Sequence, residues 1–561
     1  MAAAIATRLC GAALLHDPAL NKGTAFSRQE RRQLALEGLL PWQVETLAQQ
    51  VERCWQGFSE LQGDLERYAY LQAIRQSNLT LFHALLQEHI EALLPIVYTP
   101  TVGKAIQQFS RTYRSPSGGI YLAAPQADAL ETILRQVAPE PPALLLVTDS
   151  QGILGIGDQG IGGIHICQGK LAVYTLCTGL DPRRVLPVVL DVGTDRPELL
   201  AEPLYPGLRQ PRLSAAAYDA FLERFITAVE KVMPGALVHW EDFGTANARR
   251  LLATYRHRLP SFNDDIQGTS GVAAAAVLAG LRGLGQRLEE QRIVIFGAGT
   301  AGCGIADRLA RLLQHRGLSE QQARARLWLI DREGLLLGEA PGADARAYAK
   351  SACQTSAFGL ECNGRIGLQA VVEAVAPSVL IGTSTVAGAF DRAVVEALCR
   401  GTARPIILPL SNPTALAEAH PADLLAWSGG RLLVATGSPF ADVPVAGQIR
   451  SIGQCNNCFL FPGLGFGAVA VAAREVSEGM IDAALAALAE QIPAARDPDQ
   501  PLMPPLAAVR QVSQAVARAV ACAAVQEGIA RHATSEAEAL ERLQASTWTA
   551  AYSPIKAQPA W

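Results

Sequence analysis

The 561-residue sequence predicts an α/β protein with a helical N-terminal region, a mixed α/β middle domain and a doubly wound domain towards the C-terminus. Three observations support this prediction. Residues 28–95 repeat apolar side chains at helical spacing, several later apolar runs are of the buried-strand type, and residues 291–313 combine a strand, a glycine-rich turn and a helix. A chain of this length accommodates two or three domains with large cores.

The composition argues against binding to nucleic acid or to a membrane. The net charge is −4, no long basic or acidic block is present, and no apolar run reaches the roughly 18 residues that span a bilayer. The eleven cysteines lack the spacing of a disulfide framework, so we expect a cytoplasmic protein. The Ala-rich opening, Met1 to Leu15, is interrupted by Arg8 and has no cleavage pattern, and we interpret it as a frayed start.

The helical period of residues 28–95 stops at Pro95. The stretch from Pro95 to Lys104 has an apolar core between two prolines. We interpret this core as strand-like, with Tyr98 at its edge. Taken alone, a tyrosine in such a place is more often a packed aromatic residue than an acid.

Residues 143–149 form a continuous apolar run of the buried-strand type. A glycine-dense stretch at residues 152–169 leads to Lys170, and residues 171–176 form a second apolar run that we interpret as another buried strand. The glycines do not have the spacing of a Walker A loop. Lys170 is either a solvated surface lysine, which is the usual case, or a desolvated lysine that can act as a base.

Two acidic doublets, Glu241–Asp242 and Asp264–Asp265, occur where short apolar segments end. Buried carboxylates need a partner, and a hard divalent cation such as Mg²⁺ or Mn²⁺ would supply it through oxygen ligands. The alternative is a set of structural ion pairs with Arg249 or Arg258. The doublets alone do not decide between the two.

The clearest unit is a strand–glycine–helix motif. A strand-like run at residues 291–296 leads into GAGTAG, with Gly297, Gly299 and Gly302 at the fingerprint positions, and residues 305–313 follow with helical spacing. In this context the motif predicts a Rossmann-type dinucleotide-binding domain, in which the glycines and the helix N-terminus approach a pyrophosphate.

The next strand ends in Asp331, which we expect to hold a ribose hydroxyl. An acid here favours NAD because it would repel the 2′-phosphate of NADP, although the neighbouring Arg332 weakens this preference. Further apolar strands at residues 378–382 and 405–410 continue the parallel-sheet rhythm, and residues 466–531 return to Ala-rich helix.

Several blocks of the sequence resemble the malic enzyme family. The resemblance extends from about residue 20 to about residue 530. The blocks that carry it are LNKGTAF from Leu20, VYTPTVG around Tyr98, EDF from Glu241, FNDDIQGT from Phe262, SNPT from Ser411, ATGSPF from Ala435, and Asn456 and Asn457 before FPG.

The resemblance implies oxidative decarboxylation of L-malate to pyruvate and CO₂ with NAD and with Mg²⁺ or Mn²⁺. In the family's pattern Lys170 takes the malate hydroxyl proton, Tyr98 protonates the enolate, and Asp264 supports the lysine. The other matched positions are the metal ligands Glu241, Asp242 and Asp265, and the residues lining the malate and nicotinamide pocket, Asn412, Asn456 and Asn457.

One position departs from the family's pattern. Gly152 stands where most malic enzymes carry an Arg that contacts substrate and cofactor, and the run from Asp149 to Gly155 resembles the sister group of malolactic enzymes, which convert L-malate to L-lactate and CO₂ with bound NAD. Residues 239–244 also resemble the malolactic enzymes, whereas residues 437–440 resemble ordinary malic enzymes. A malic enzyme is the first hypothesis and a malolactic enzyme is the second.

Two other classes are alternatives. A non-catalytic NAD-binding sensor would not need Lys170, Tyr98 and both doublets together. A metal-free hydroxyacid dehydrogenase would leave the four acids without a role.

We expect the active site to lie in the cleft between two main domains of a homodimer or homotetramer. The expected regions are a helical N-terminal region at residues 1–78, a substrate and metal domain at 79–261, an NAD-binding domain with C-terminal helices at 271–525, and a tail at 526–561.

Overall fold

The computed structural model describes residues 4–558, except 115, 117, 139, 339–342 and 361–363. The chain divides into two units: the first comprises Met1–Ser150, Asp158–Ala236 and Gln544–Trp561, and the second comprises Gln151–Gly157 and Leu237–Leu543. Within the described ranges, no helix is both long enough and apolar enough to cross a membrane.

Helices dominate the start and the end of the chain, and strands alternate with helices between them. In the described residues the α-helices are α1 (Gly11–Leu15), α2 (Arg28–Gln33), α3 (Leu47–Glu60), α4 (Asp64–Ser77), α5 (Leu79–Glu88), α6 (Ile90–Val97), α7 (Thr101–Gln107), α8 (Phe109–Thr112), α9 (Leu130–Val137), α10 (Ile164–Thr178), α11 (Pro197–Ala201), α12 (Ala215–Val232), α13 (Thr245–Tyr255), α14 (Thr269–Gly283), α15 (Thr300–His315), α16 (Glu320–Ala325), α17 (Ala343–Arg346), α18 (Ala352–Ser356), α19 (Leu368–Val375), α20 (Arg392–Gly401), α21 (Pro421–Ser428), α22 (Phe461–Ala470), α23 (Glu478–Gln491), α24 (Val509–Gln526) and α25 (Glu536–Ser546). The strands are β1 (Ile5–Thr7), β2 (Ile120–Ala123), β3 (Leu144–Thr148), β4 (Val185–Asp191), β5 (Leu237–Trp240), β6 (Ser261–Asn263), β7 (Ile293–Phe296), β8 (Leu327–Asp331), β9 (Gly334–Leu335), β10 (Val379–Gly382), β11 (Ile406–Pro409), β12 (Leu433–Thr436), β13 (Val443–Val445), β14 (Gln448–Arg450), β15 (Gly453–Gln454) and β16 (Ile555–Ala557).

The helical prediction for residues 28–95 is confirmed, since this region folds into α2–α6. Ser27 and Thr46 begin α2 and α3 with capping boxes. Each hydroxyl accepts a backbone N–H from the third helical residue, and the side chain of that residue, Glu30 or Gln49, bonds back to the cap.

The strand-like interpretation of residues 95–104 is wrong. Helix α6 continues through Pro95 to Val97, Tyr98 is its C-terminal cap, and α7 begins at Thr101. A short apolar run does not distinguish a strand from a buried helix by its period, and the apolar side chains of α6 are buried as a helical segment.

The second buried strand expected at residues 171–176 is also wrong, because these residues belong to helix α10. Every residue of α10 except His165 is buried. A helix that is apolar on all sides lacks an amphipathic period and therefore resembles a buried strand in sequence. Lys170 consequently lies in the middle of a buried helix, not at the end of a glycine-rich turn.

Three parallel strands form the sheet of the first unit, in the order β2-β4-β3. Strand β3 confirms the prediction for residues 143–149, and all five of its residues are buried. Helix α10 packs against β3 and β4. This packing contributes to the burial of α10.

The interpretation of residues 1–15 as a frayed start is wrong for the described part. Strand β1 pairs in parallel with β16, with Ile5 opposite Ile555. A small apolar core joins the two ends of the described chain; its buried members are Leu14, Phe26, Leu34, Leu36 and Ile555. From Gln544 onward, the segment expected as a C-terminal tail therefore takes part in the fold of the first unit.

The sheet of the second unit has the order β15-β12-β11-β10-β7-β8-β9. From β7 the chain adds β8 on one side and then β10, β11 and β12 on the other, with parallel pairing throughout these strands. This is the doubly wound order, and it confirms the predicted α/β fold class. In such sheets ligands bind at the point where the strand order reverses, which here lies between β7 and β10.

Ala-rich helices follow the sheet, as expected for residues 466–531, although breaks divide them into α22, α23 and α24. Helix α22 contacts α24 at two glycines. A Cβ added to Gly463 would lie 2.6 Å from the Val516 Cβ, and one added to Gly467 would lie 2.7 Å from the Ala517 carbonyl oxygen. The missing side chains allow these helices to pack at backbone distance.

We expect Glu30 to stabilise the joined chain ends in a pH-dependent manner. Its Oε1 accepts hydrogen bonds from Lys22 Nζ at 2.5 Å and from the Ile555 backbone N–H at 2.9 Å. Burial alone would raise the pKa of Glu30, but Lys22 and the backbone N–H groups lower it below 4.5. A lowered folded-state pKa gives stability that is present above the unfolded pKa and is lost as the pH falls through the folded value.

Glu30→Gln should therefore reduce the free energy of unfolding at neutral pH by about 2 kcal/mol, since it leaves a buried lysine without its counter-charge. The difference from wild type should shrink as the pH falls below about 4. Urea unfolding at several pH values measures it, with the exposed Glu37→Gln as the control. A difference that stays constant with pH would contradict the assignment.

Candidate active site

An acidic cluster forms where β5 and β6 end. These strands are parallel neighbours with Trp240 opposite Asn263, so the residues that follow them emerge at the same edge. Glu241 and Asp242 follow β5, while Asp264 and Asp265 begin a π-helical turn after β6. The two doublets follow adjacent strands that are in register. The fold therefore brings together two pairs of acids that are about twenty residues apart in sequence.

The carboxylates of Glu241, Asp242 and Asp265 have the arrangement of a cation site. One oxygen from each lies within 4.8 Å of the others, and Glu241 and Asp242 are 1% and 4% exposed. Like charges this close raise one another's energy unless a cation compensates them. Carboxylate oxygens are ligands that Mg²⁺ and Mn²⁺ prefer, so the three residues fit such an ion.

The alternative role for the doublets, pairing with arginine, is not supported at Arg249. Its guanidinium pairs with Asp307 and Asp344, each at 3.1 Å. The Arg258 guanidinium lies over the Tyr255 ring, 5.7 Å from its centroid.

His239 lies beside the cluster. Its Nε2 lies 3.1 Å from Glu241 Oε2, and its ring is fully buried against Phe262 and Phe461. His239, Glu241 and Asp264 form a second group whose donor atoms lie within 4.8 Å. In the sequence, residues 239–244 served only for the comparison with malolactic enzymes, and the contact between His239 and Glu241 was not predicted. This contact depends on the pleat of the strand.

The structure brings Asn457 to Asp264. Asn457 Nδ2 donates to Asp264 Oδ2 at 3.0 Å and to Thr269 Oγ1 at 3.0 Å. Asn456 has a local role as well, since its Oδ1 accepts the Cys458 backbone N–H at 2.9 Å. Sequence reasoning missed Thr269, which holds the asparagine against the acid.

Asn412 lies at the carboxyl edge of the second sheet. It follows β11, and its Oδ1 accepts a hydrogen bond from the hydroxyl of Ser438, which follows the neighbouring strand β12, at 2.5 Å. Both residues therefore stand at the edge where ligands bind in doubly wound sheets.

The glycine fingerprint occupies the point where the strand order reverses. Gly297 has a φ of +113°, and a Cβ added there would lie 2.6 Å from the Thr383 carbonyl oxygen just beyond β10. A Cβ at Gly302 would lie 1.8 Å from the Gly297 oxygen, whereas one at Gly299 would meet no atom within 4 Å. Gly297 and Gly302 therefore allow backbone segments to pack closely, whereas Gly299 faces open space.

Asp331 ends β8, which pairs with β7 so that Phe296 stands opposite Ile330. Asp331 therefore emerges beside Gly297 and is exposed. Cys303, on the first turns of α15, donates through its thiol to the Ala298 carbonyl oxygen at 3.2 Å, and burial raises the pKa of this thiol to about 12. The thiol beside the fingerprint is consequently neutral at physiological pH.

Tyr98 and Lys170 belong to the first unit and lie on packed helices. Tyr98 is 5% exposed and Lys170 is 2% exposed. A Cβ added to Gly169 would lie 2.7 Å from the Val97 oxygen and 3.7 Å from Tyr98 Cδ2, so α10 approaches Tyr98 at the residue before the lysine. The acidic cluster and the fingerprint belong to the second unit.

His165 and Gln168 interact with each other on α10. His165 Nδ1 lies 3.3 Å from Gln168 Oε1, and burial lowers the pKa of His165 to about 4. The His165 ring also packs edge-on against Tyr68 and Phe109. These contacts indicate a packing role for a neutral histidine.

A doubly wound sheet with a glycine fingerprint, together with a cluster of carboxylates, defines a dinucleotide-binding protein with a candidate divalent-cation site. Two family profiles match the chain: "Malic enzyme, N-terminal domain" at residues 75–256 and "Malic enzyme, NAD binding domain" at residues 266–525. The second match supports NAD as the dinucleotide.

Proteins of known name are similar over nearly the whole chain. The sequence is 44% identical over 559 residues to NAD-dependent malic enzyme 3 of Bacillus subtilis, covering 99% of this chain and 98% of that protein. It is 43% identical to the NAD-dependent malic enzyme of Pseudomonas aeruginosa strain LESB58, covering 97% and 96%. The chain belongs to the malic enzyme family.

Solved structures share the fold at lower sequence identity. The malic enzyme of Entamoeba histolytica matches with a TM-score of 0.55 and 21% identity, covering 91% of this chain and 90% of that chain. The malic enzyme of Pyrococcus horikoshii matches with a TM-score of 0.54 and 22% identity, covering 82% and 89%.

We expect the fingerprint glycines to separate folding from nucleotide binding. Gly302→Ala should lower the melting temperature, because its Cβ would press on the Gly297 backbone. Gly299→Ala should keep the wild-type melting temperature and weaken NAD binding by about tenfold or more, because a methyl group would stand where a pyrophosphate approaches. Calorimetric titration with NAD and thermal melting measure the two effects. Wild-type NAD affinity in Gly299→Ala would contradict the assignment.

Proposed function

We propose that this protein catalyses the NAD- and divalent-metal-dependent oxidative decarboxylation of L-malate to pyruvate and CO₂. The observation that supports this proposal most strongly is the 44% identity over nearly the full length to a protein named NAD-dependent malic enzyme 3. The cluster of Glu241, Asp242 and Asp265 supports the metal requirement, and the doubly wound sheet supports the nucleotide requirement.

The malolactic alternative is not favoured. The near-full-length relatives from Bacillus, Pseudomonas and Vibrio carry the name NAD-dependent malic enzyme. The same relatives disfavour a non-catalytic sensor, and the acidic cluster disfavours a metal-free dehydrogenase.

Lys170 and Tyr98 are the proposed proton-transfer groups. Lys170 takes the proton of the malate C2 hydroxyl, and after CO₂ leaves the β-keto acid Tyr98 gives a proton to C3 of the enolate. When bound, NAD would accept the C2 hydride and the divalent ion would polarise the C2 oxygen. Burial of both side chains supports these roles, because a dry environment strengthens directed proton transfer.

The remaining roles are binding and orientation. Glu241, Asp242 and Asp265 would hold the metal ion, and Asp264 is proposed to support the base. The hydrogen bonds of Asn457 to Asp264 and Thr269 support a fixed orientation of this acid.

Three proposed contacts concern the cofactor and the substrate. Asp331 would accept a ribose hydroxyl of NAD, and Gly297, Gly299 and Gly302 would admit the pyrophosphate. Asn412, Asn456 and Asn457 would line the pocket for malate and the nicotinamide, as the family resemblance implies.

We also propose that the enzyme acts in the cytoplasm as a homodimer or homotetramer, with the substrate and NAD domains bounded as the sequence predicts. Ten cysteines within the described residues are free thiols, which supports a reducing compartment.

The first expected outcome concerns the product. With L-malate, NAD and Mn²⁺, the purified protein should form NADH and pyruvate in equal amounts. EDTA should abolish the reaction and excess Mn²⁺ should restore it, since the carboxylates alone cannot polarise the substrate oxygen. Absorbance of NADH and enzymatic assays of pyruvate and lactate measure this. Lactate formed without net NADH would overturn the proposal in favour of the malolactic reaction.

The second expected outcome concerns the proton-transfer groups. Lys170→Ala and Tyr98→Phe should each lower kcat by about 10² to 10⁴, with little change in NAD affinity, because each removes a proton donor or acceptor. Steady-state kinetics and NAD titration measure this. The matched controls are the exposed Lys104→Ala and Tyr113→Phe, which should retain wild-type kcat. A Lys170→Ala variant with wild-type kcat would remove the lysine from the mechanism.

A further inference from the structure

The segment Gln151–Gly157, which we name the glycine loop, packs against the turn that carries Asp242. The Gly152 backbone N–H donates to the Asp242 carbonyl oxygen at 2.8 Å. The Leu154 N–H donates to the Asp242 carboxylate at Oδ1, at 3.2 Å. Asn247 Nδ2 donates to Gln151 Oε1 at 3.1 Å. The loop therefore contacts both the backbone and the side chain of one acid of the cluster.

Asp242 has a conformation that needs such support. Its φ is +54°, in the left-handed region that L-residues rarely adopt. Its backbone N–H donates to Asp265 Oδ2 at 2.8 Å, and its carbonyl oxygen accepts from Gly152. Both backbone groups of Asp242 are thus held, one by a neighbouring acid of the cluster and the other by the loop.

The loop shares this strain. Ser150, immediately before it, has a φ of +60°, and Leu154 within it has a φ of +44°. Left-handed backbone at residues other than glycine persists where surrounding contacts over-determine it, and it concentrates at functional sites. Two of these residues, Leu154 and Asp242, are joined directly by the hydrogen bond from the Leu154 N–H to the Asp242 carboxylate.

Gly152 is the residue that allows the close approach. A Cβ at this position would lie 2.7 Å from the Phe243 carbonyl oxygen, 3.2 Å from the Phe243 carbonyl carbon and 3.4 Å from the Asp242 oxygen. These are backbone atoms, so they cannot rotate away from an added side chain. Any side chain at 152 would push the loop from the Asp242 turn and lengthen both of its hydrogen bonds to Asp242.

The residues on either side of the loop in sequence are fixed by one buried arginine. Arg212 Nε lies 2.8 Å from Asp158 Oδ2, and Arg212 Nη1 lies 3.4 Å from Asp149 Oδ2. Burial alone would raise the pKa of Asp158, but the hydrogen bonds and charge of Arg212 keep it below its ordinary value. The residues that flank the loop in sequence are therefore tied to the same buried guanidinium.

We propose that Gly152 and the glycine loop are positioning elements that fix the Asp242 carboxylate for binding of the divalent cation. The inference rests on the proposed function, in which Asp242 is a metal ligand. Gly152 then has a role of its own: the position supplies a backbone N–H to the metal-binding turn in place of the arginine side chain expected from the family resemblance. Groups that orient a metal ligand from behind typically affect metal affinity by 10- to 100-fold.

Titration of the full-length protein with Mn²⁺ alone, by calorimetry or by electron paramagnetic resonance of free Mn²⁺, tests this inference without an activity assay. Gly152→Ala should raise the Kd for Mn²⁺ by about tenfold or more, and Gly152→Arg should raise it further. The matched control is Gly367→Ala, since a Cβ at Gly367 meets no atom within 4 Å. Its Kd should stay within about twofold of wild type.

Two further measurements separate positioning from folding. Kd for NAD should change little in Gly152→Ala. The displaced loop should lower the melting temperature without metal, and the rise in melting temperature on adding Mn²⁺ should also diminish. Asn247→Ala removes a contact with the glycine loop without adding a larger side chain, and it should raise the Mn²⁺ Kd by about two- to fivefold. This variant replaces the Gly152 variants in the test if they do not fold.

Wild-type Mn²⁺ affinity in Gly152→Ala, or in Asn247→Ala where the Gly152 variants do not fold, would overturn the inference while leaving the proposed function intact. A gain of activity in Gly152→Arg would also overturn it, because that result would indicate a missing arginine. If the wild-type protein itself does not bind Mn²⁺, the metal assignment in the proposed function fails and the inference fails with it.

Discussion

Mutual repulsion among buried carboxylates is the constraint on which the site depends. Two parallel strands in register end side by side, and each is followed at once by two acids. Their proximity is costly in a low-dielectric interior unless hydrogen-bond donors and a cation compensate it. The surrounding structure supplies such donors: a histidine beside Glu241, an asparagine on Asp264 and backbone N–H groups on Asp242 and Asp265. The fold around β5 and β6 is in this sense a scaffold for concentrated negative charge.

Much of the second unit could be predicted from the sequence because its signals are local. Strands β7, β8, β10 and β11 are continuous apolar runs bounded by glycine, proline or a charged residue, and the fingerprint lies between a strand and a helix. The two acidic doublets could be located at the ends of apolar segments for a similar reason. The register between β5 and β6 determines which carboxylate oxygens lie close together. No local pattern in the sequence indicates this register.

The failures in the first unit have a different physical origin. Helix α10 is buried on nearly all sides, so its sequence carries no polar face that could reveal a helical period. Helix α6 contains Pro95 and is held by burial rather than by propensity. The pairing of β1 with β16 joins residues more than 500 positions apart, and three-residue strands have no recognisable pattern of their own. In the second unit, the close approach of Gly152 to the backbone of Asp242 and Phe243 was equally hidden, because that backbone lies far away in sequence.

The pairing of β1 with β16 also constrains how the protein is made. The first unit contains Gln544–Trp561, so the ribosome must synthesise all of Leu237–Leu543 before the first unit has its full set of residues. Most of the second unit is continuous in sequence and can fold while the end of the chain is still being translated. The β1–β16 ladder therefore forms after these parts of the chain, and until then the apolar core around Leu14 and Phe26 lacks Ile555. The first unit is consequently completed only after most of the second unit has been synthesised.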